Sequence, residues 1–363
     1  MKRLTLALLL LALLFTAAGC GRIIKNDYRS VEPHSEPSGG AQAQPQEEQL
    51  PVVGNRNELR GNVLSFVRSW TELGTLRVRG YDGDISADLA ETINYITKED
   101  PTGAYALDYA DAELTGSAAE GTIEVRLVFR RSAAEIDSIV TVSGHADADG
   151  KIRAALANFD SALTLRIRNY EEADFAEEIR SYCLCNPALT PVLPEVSASV
   201  YPQEGQTRIL ELHFTYAATR DEMRLMRSAM ETLLTSASAY IRSGEDDTER
   251  LSLLLRYLVV SRSYAPLEGE TDRPAYQLLR ERQADSLAFA SAVCAVCRQA
   301  GIDCELIEGT RGGEPWAWNR IRMGGESCEV DFMRAELLDE TELTLLTPEL
   351  LAEEGYLAQE SGN

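Results

Sequence analysis

The chain has 363 residues, 44% of them hydrophobic, and a formal net charge of -23. That length and apolar content allow about two domains with real cores. The acidic balance argues against nucleic acid as a partner, and with three histidines, His34, His145 and His213, none of them beyond residue 213, imidazole chemistry has few places to sit.

Residues Met1-Lys2-Arg3 open the chain, an apolar run follows from Leu4 to Phe15, and the segment closes on Thr16-Ala17-Ala18-Gly19-Cys20. This is the layout of a signal peptide over residues 1–19. A bilayer-spanning helix needs about 20 apolar residues, which this run does not supply. Small residues ahead of a cysteine resemble the bacterial lipobox, with Ala17 standing where leucine is usual. The resemblance implies a diacylglyceryl group on the Cys20 thiol, cleavage before it, and stable anchoring by two acyl chains. Membrane lipid is then the first expected partner, and the extracytoplasmic face of the cell membrane the expected location. Residues 20–55, with stretches such as Ser38-Gly39-Gly40-Ala41-Gln42-Ala43-Gln44-Pro45, offer little to bury and read as a lipidated flexible tether.

Over residues 56–243 the chain resembles itself. Thr75-Leu76-Arg77-Val78-Arg79-Gly80-Tyr81 recurs as Thr164-Leu165-Arg166-Ile167-Arg168-Asn169-Tyr170, an offset of 89, and Leu127-Val128-Phe129 recurs as Leu212-His213-Phe214, an offset of 85. Each copy, over about 60–145 and 150–243, reads as strand, helix (Ile85 to Ile96 or Asp174 to Tyr182) and two strands, a βαββ unit used twice. Leu210, Leu212, Phe214 and Tyr216 alternate with Glu211, His213 and Thr215, which predicts a half-buried strand with Glu211 and His213 on its wet face.

From residue 244 to 345 the pattern changes to an apolar helix (Leu251 to Val260), a helix from Ser286 to Gln299 and a strand from Ile302 to Glu308; residues 346–363 read as a tail. The order and the motifs resemble the transglutaminase-like superfamily, papain-fold proteins with a cysteine at the start of a buried helix and a histidine and an aspartate on later strands. The cysteine motif of that family aligns with Ala284-Asp285-Ser286-Leu287-Ala288-Phe289-Ala290, its turn after the helix with Ala300-Gly301-Ile302-Asp303, and its His-Ala-Trp-Asn with Trp316-Ala317-Trp318-Asn319. Its aspartate aligns with Asp331. Serine therefore stands at the nucleophile position and tryptophan at that of the histidine. A helix N-terminus and an imidazolium lower a cysteine thiol from about 8.5 into the range where thiolate is abundant. A serine hydroxyl gains nothing comparable and needs a general base within hydrogen-bond reach, worth about 10²- to 10⁴-fold. The degenerate positions Ser286, Trp316 and Asp331 thus imply a pseudoenzyme. Phe289, Trp316 and Trp318 then become candidate contacts of an emptied groove, with core packing as the competing reading.

Six cysteines follow Cys20. Cys294 and Cys297 lie in CxxC spacing inside an apolar helix and read as buried core thiols; Cys304 and Cys328 are candidates to pair across neighbouring strands; Cys183 and Cys185 are too close to bridge each other. The clusters Glu171-Glu172, Glu177-Glu178 and Glu245-Asp246-Asp247 read as solvated faces or helix starts, and no metal site or cofactor is expected. The sequence therefore points to an α+β lipoprotein that binds or scaffolds at the cell envelope, with an envelope protein, a peptide or a cell-wall fragment as ligand. The competing class is an active acyltransferase or peptidase with an unusual nucleophile and base.

Overall fold

A computed structural model describes residues 50–267 and 269–359. The expected signal peptide, Cys20, the stretch read as tether up to residue 49 and the last residues of the stretch read as tail lie outside them. Among the described residues no helix is long and apolar enough to cross a membrane.

The first unit runs β1 (Val52–Asn55), α1 (Arg56–Arg68), β2 (Leu73–Asp82), α2 (Ile85–Lys98), α3 (Pro101–Ala106), β3 (Leu107–Gly116) and β4 (Glu120–Phe129). Its sheet order is β1-β2-β4-β3, with β1 parallel to β2 and the other pairs antiparallel. After a short α4 (Ala133–Asp137), the second unit runs β5 (Val140–Val142), α5 (His145–Asn158), β6 (Ala162–Ile167), α6 (Phe175–Leu184), β7 (Glu195–Tyr201) and β8 (Arg208–Thr215). Its order, β5-β6-β8-β7, has the same senses of pairing.

The expected βαββ unit is thus corrected: each sheet has four strands, and a strand and a helix precede the segment where the sequence pattern begins. The leading strands β1 and β5 span four and three residues, too few to show alternation. Val52–Asn55 also lies inside the stretch read as tether. Within the sheets, Leu76 faces Ile123 and Leu165 faces Leu210, so the last strands correspond at an offset of 87 rather than 85. Both registers keep the same face inward, because side chains alternate with period two.

Each sheet is covered by its two longer helices. Leu59, Val63 and Val67 of α1 and Leu89 and Ile96 of α2 close over Leu76 and Val78; Ala148, Ile152 and Leu156 of α5 and Phe175 and Ile179 of α6 close over Leu165 and Ile167. The far face of β8 is not wholly wet. Ile209 packs with Tyr105 and Ala106 of the first unit, and Glu211, expected in solvent, is 5% exposed and pairs with Arg131 at 2.6 Å. His213 remains exposed.

Helix α7 (Arg220–Ile241) begins at a capping box of Thr219 and Glu222. Its first turns place Met223 against Phe159 and Val192, and its last turns place Met230, Leu234, Ala237 and Ile241 in the C-terminal core, so one helix serves two cores. Then follow α8 (Asp247–Leu255), continued by a π turn to Val260, the two-residue strands β9 (Ala265–Pro266) and β10 (Gln283–Ala284) with the short α9 (Pro274–Tyr276) between them, and α10 (Ser286–Ala300). A four-stranded antiparallel sheet of order β13-β12-β11-β14 packs on α10, with β11 (Asp303–Arg311), β12 (Glu314–Met323), β13 (Glu326–Val330) and β14 (Tyr356–Ala358). Two short helices, α11 (Phe332–Leu337) and α12 (Pro348–Glu353), connect β13 to β14. The segment read as a tail therefore contributes a helix and a strand.

Among the described residues one disulfide, Cys185–Cys294, ties the end of α6 to the middle of α10, correcting the reading of Cys294 as a free core thiol. Beside it the Ser291 hydroxyl donates to the Leu184 carbonyl. Cys304 and Cys328 are unpaired. They face Ile321 from opposite sides, on β11 and β13. Two strand spacings, about 9–10 Å, exceed the roughly 7 Å limit for Cα atoms of a disulfide.

Candidate functional site

Helix α10 starts where the sequence provides a cap: Asp285 is extended, and its carboxylate accepts the Ala288 N–H at 2.6 Å. Burial raises the Asp285 carboxyl above the usual carboxylate range, against the backbone N–H groups that lower it. The helix ends at Gly301, whose φ of 84° is the left-handed conformation that terminates helices. Ser286 is the first helical residue and is 9% exposed. Its Oγ accepts the N–H of Ala317, on β12, at 3.1 Å. The next turn is core: Phe289 is 1% exposed and meets the Tyr264 ring edge-on at 5.2 Å.

Strand β12 brings Trp316, and Asp331 follows directly on the end of β13. The Trp316 indole Nε1–H donates to Asp331 Oδ2 at 2.7 Å, so the ring takes up the carboxylate bond that the family's histidine is expected to make. The same oxygen accepts the Tyr356 hydroxyl at 2.6 Å, from β14. Asp331 Oδ1 accepts the Arg334 N–H at 2.9 Å as the cap of α11. Burial first, and then the charge of Asp331, push the Tyr356 hydroxyl far above its ordinary value, so it remains a donor. The Arg311 guanidinium lies over both rings, 5.2 Å from Trp316 and 5.3 Å from Tyr356. Glu354 holds it at 2.5 Å and also takes Arg334 at 2.9 Å.

This arrangement has a chemical consequence. A histidine that gives one N–H to an aspartate keeps a second nitrogen to accept a proton from the nucleophile. Indole has one nitrogen, and it only donates. Once Nε1–H is bound to Asp331, Trp316 has no atom that can take the proton of Ser286. The two remaining histidines of the described chain are engaged elsewhere: His145 lies beside Asp149 and Glu178 on the second unit, and His213 lies 3.3 Å from Glu211.

The structure thus brings Trp316 and Asp331 into contact and sets Ser286 against the residue next to Trp316. It does not build the groove expected from the three aromatic residues. Phe289 and Trp318 are core, at 1% and 2% exposure, and only Trp316 is half-buried. Trp318 donates to Glu329 at 2.6 Å and meets Tyr356 edge-on at 5.2 Å. Neighbouring Asn319 is buried and donates to the carbonyls of Ala290 and Glu305, tying β12 to α10 and β11. Sequence reasoning missed Tyr356, Arg311 and Glu354. Two of them follow the aligned motifs in a segment with no family signal, and the third, Arg311, precedes a Gly-Gly turn. Away from this site, a polar cleft of about 640 Å³ separates the second unit from the C-terminal sheet, lined by residues such as Asp174, Tyr182, Arg298 and Arg320.

Residues 235–332 match the model of the transglutaminase-like superfamily, from the last turns of α7 to the start of α11. A solved structure described as "Crystal structure of a TGase" is similar at 11% identity with a TM-score of 0.26, over 57% of this chain and 60% of that chain. No curated protein matches this chain. The helix that starts at Ser286, the sheet that carries Trp316 and Asp331, and the family match over the same residues together make this part of the chain a transglutaminase-like domain.

Proposed function

We propose that the protein is a lipoprotein anchored through Cys20 at the extracytoplasmic face of the membrane, and that its transglutaminase-like domain binds or scaffolds at the cell envelope without acyl transfer. The observation that carries the inactive reading is the 2.7 Å bond from Trp316 Nε1–H to Asp331. It occupies the one nitrogen of the residue that stands where a base is needed, beside a serine whose hydroxyl has no thiolate-like state to exploit. The reading of the N-terminus rests on the apolar run and the Ala-Gly-Cys motif before residue 21.

The decisive comparison is the turnover of glutamine-containing peptide amides by wild type and by the Ser286→Cys, Trp316→His double variant. Wild type is expected at background. If it turns over substrate as fast as the double variant, the domain is an enzyme and the proposal fails. For the anchor, Cys20→Ser is expected to abolish incorporation of labelled palmitate and to move the chain from the membrane to the soluble fraction. Unchanged membrane retention and labelling would remove the lipoprotein reading.

A further inference from the structure

The second four-stranded unit holds a cluster that the domain chemistry does not use. His145 is the first residue of α5, Asp149 lies one turn further on, and Glu178 faces them from α6. His145 Nε2 is 3.6 Å from Asp149 Oδ1 and 3.2 Å from Glu178 Oε2, and one donor atom from each residue lies within 4.8 Å of the other two. His145 and Asp149 are half-buried and Glu178 is exposed. The residues read from sequence as a solvated acidic face therefore include one, Glu178, that meets a histidine across two helices.

An ion pair alone accounts for half of this geometry. A single Nε2–H can point at one carboxylate, and the nearest other cation, Arg153, lies 3.8 Å from Asp149 Oδ2. Asp174, at the start of α6, adds a further negative charge near Glu178. Three side chains with donor atoms within 4.8 Å of one another are close enough to share one small cation. A tetrahedral zinc ion, bound at about 2.0–2.2 Å, sets adjacent ligand atoms roughly 3.3–3.6 Å apart, close to the two separations found here. A mixed imidazole and carboxylate set suits zinc and its neighbours. Calcium would require about six to eight oxygens, more than two carboxylates supply.

The cluster also borders a cavity of about 400 Å³, walled by Ile152 and Leu156 of α5 and Phe175, Ile179 and Tyr182 of α6. The Phe175 ring lies 5.4 Å from the imidazole. We propose that His145, Asp149 and Glu178 form a three-ligand site for Zn²⁺ or a closely similar divalent transition metal, with its fourth corner open to this apolar-walled cavity. Three protein ligands and one open corner define a site that can take a water or a ligand donor atom, rather than a closed structural site.

The test is equilibrium dialysis of the full chain in detergent against micromolar Zn²⁺, with metal content measured per chain, and visible absorption after Co²⁺ loading as a report on geometry. Wild type is expected to hold one ion per chain with a tetrahedral Co²⁺ spectrum. Glu178→Gln and Asp149→Asn, which keep side-chain size, are each expected to weaken binding at least about tenfold. His145→Gln should do the same, so the result does not depend on the folding of any one variant. Cys328→Ser, which removes the most accessible free thiol among the described residues, should bind as wild type does. The assignment is overturned if wild type retains no ion, or if the three ligand variants bind as tightly as wild type, which would place the cation elsewhere.

Discussion

The two four-stranded units use the same strand order and bury matching positions, yet they present opposite chemistry on the same pair of helices. At an offset of 89, Leu59, Val63 and Val67 of α1 correspond to Ala148, Ile152 and Leu156 of α5, all buried. The first helical residue is Arg56 in one and His145 in the other, and one turn later Arg60 corresponds to Asp149. On the second helix, matched through Leu89 and Ile179, Asp88 corresponds to Glu178. In the first unit both arginines turn to one carboxylate, Glu91: Arg56 pairs with it directly and Arg60 lies at 3.6 Å. Cations outnumber the acid there and the helices are clamped together. In the second unit two carboxylates share one imidazole. Matching positions of these helices are buried in both units, so the outward-facing residues are free to differ, and what differs is whether chain cations outnumber the carboxylates between the helices or, as proposed above, a cation from solution joins them.

The largest expected effect breaks the comparison at its base. Leu76→Ala and Leu165→Ala remove corresponding core side chains, both 0% exposed, and each should cost about 2–5 kcal/mol in urea unfolding. A loss confined to one unit would show that the two cores are not equivalent. Next, replacing both Cys185 and Cys294 by serine removes a tie that only the second unit has to the C-terminal domain. It should cost about 2–4 kcal/mol, and a reductant should then no longer lower the midpoint of the variant. Asp331→Asn sets an amide against the Trp316 and Tyr356 donors that now share Oδ2 and should cost about 1–3 kcal/mol, read as a lowered Tm. The smallest effect sharpens the comparison most. The double change His145→Arg, Asp149→Arg gives the second unit the arginines of the first at half-buried surface positions, where ion pairs are worth about 0–1 kcal/mol. Stability should hardly move while Zn²⁺ retention is lost; retention in this variant would contradict the assigned ligands.

Much of the architecture could be read from residue pattern. A long amphipathic helix such as α2, a long apolar one such as α10 and a strand with clean alternation such as β8 announce themselves, because their pattern extends over many residues. The short strands β1 and β5 do not, and only pairing with β2 and β6 makes them strands. The placement of Glu211 depended on a neighbour: alternation put it on the outer face, correctly, but the first unit covers that face.

At the transglutaminase-like site the sequence by itself determined which residue types stand at the three aligned positions, Ser286, Trp316 and Asp331, and hence that neither a thiol nor an imidazole is there. Only the tertiary structure decided that Trp316 gives its one N–H to Asp331, that Tyr356 arrives on β14 to share the same oxygen, and that Phe289 and Trp318 are core instead of groove. It likewise decided that Cys294 meets Cys185 and that His145 meets Glu178. The reason is common to all of these. Residue type and local period are properties of neighbours along the chain, whereas a hydrogen bond, a disulfide or a ligand set joins residues that only folding brings within a few ångströms of one another.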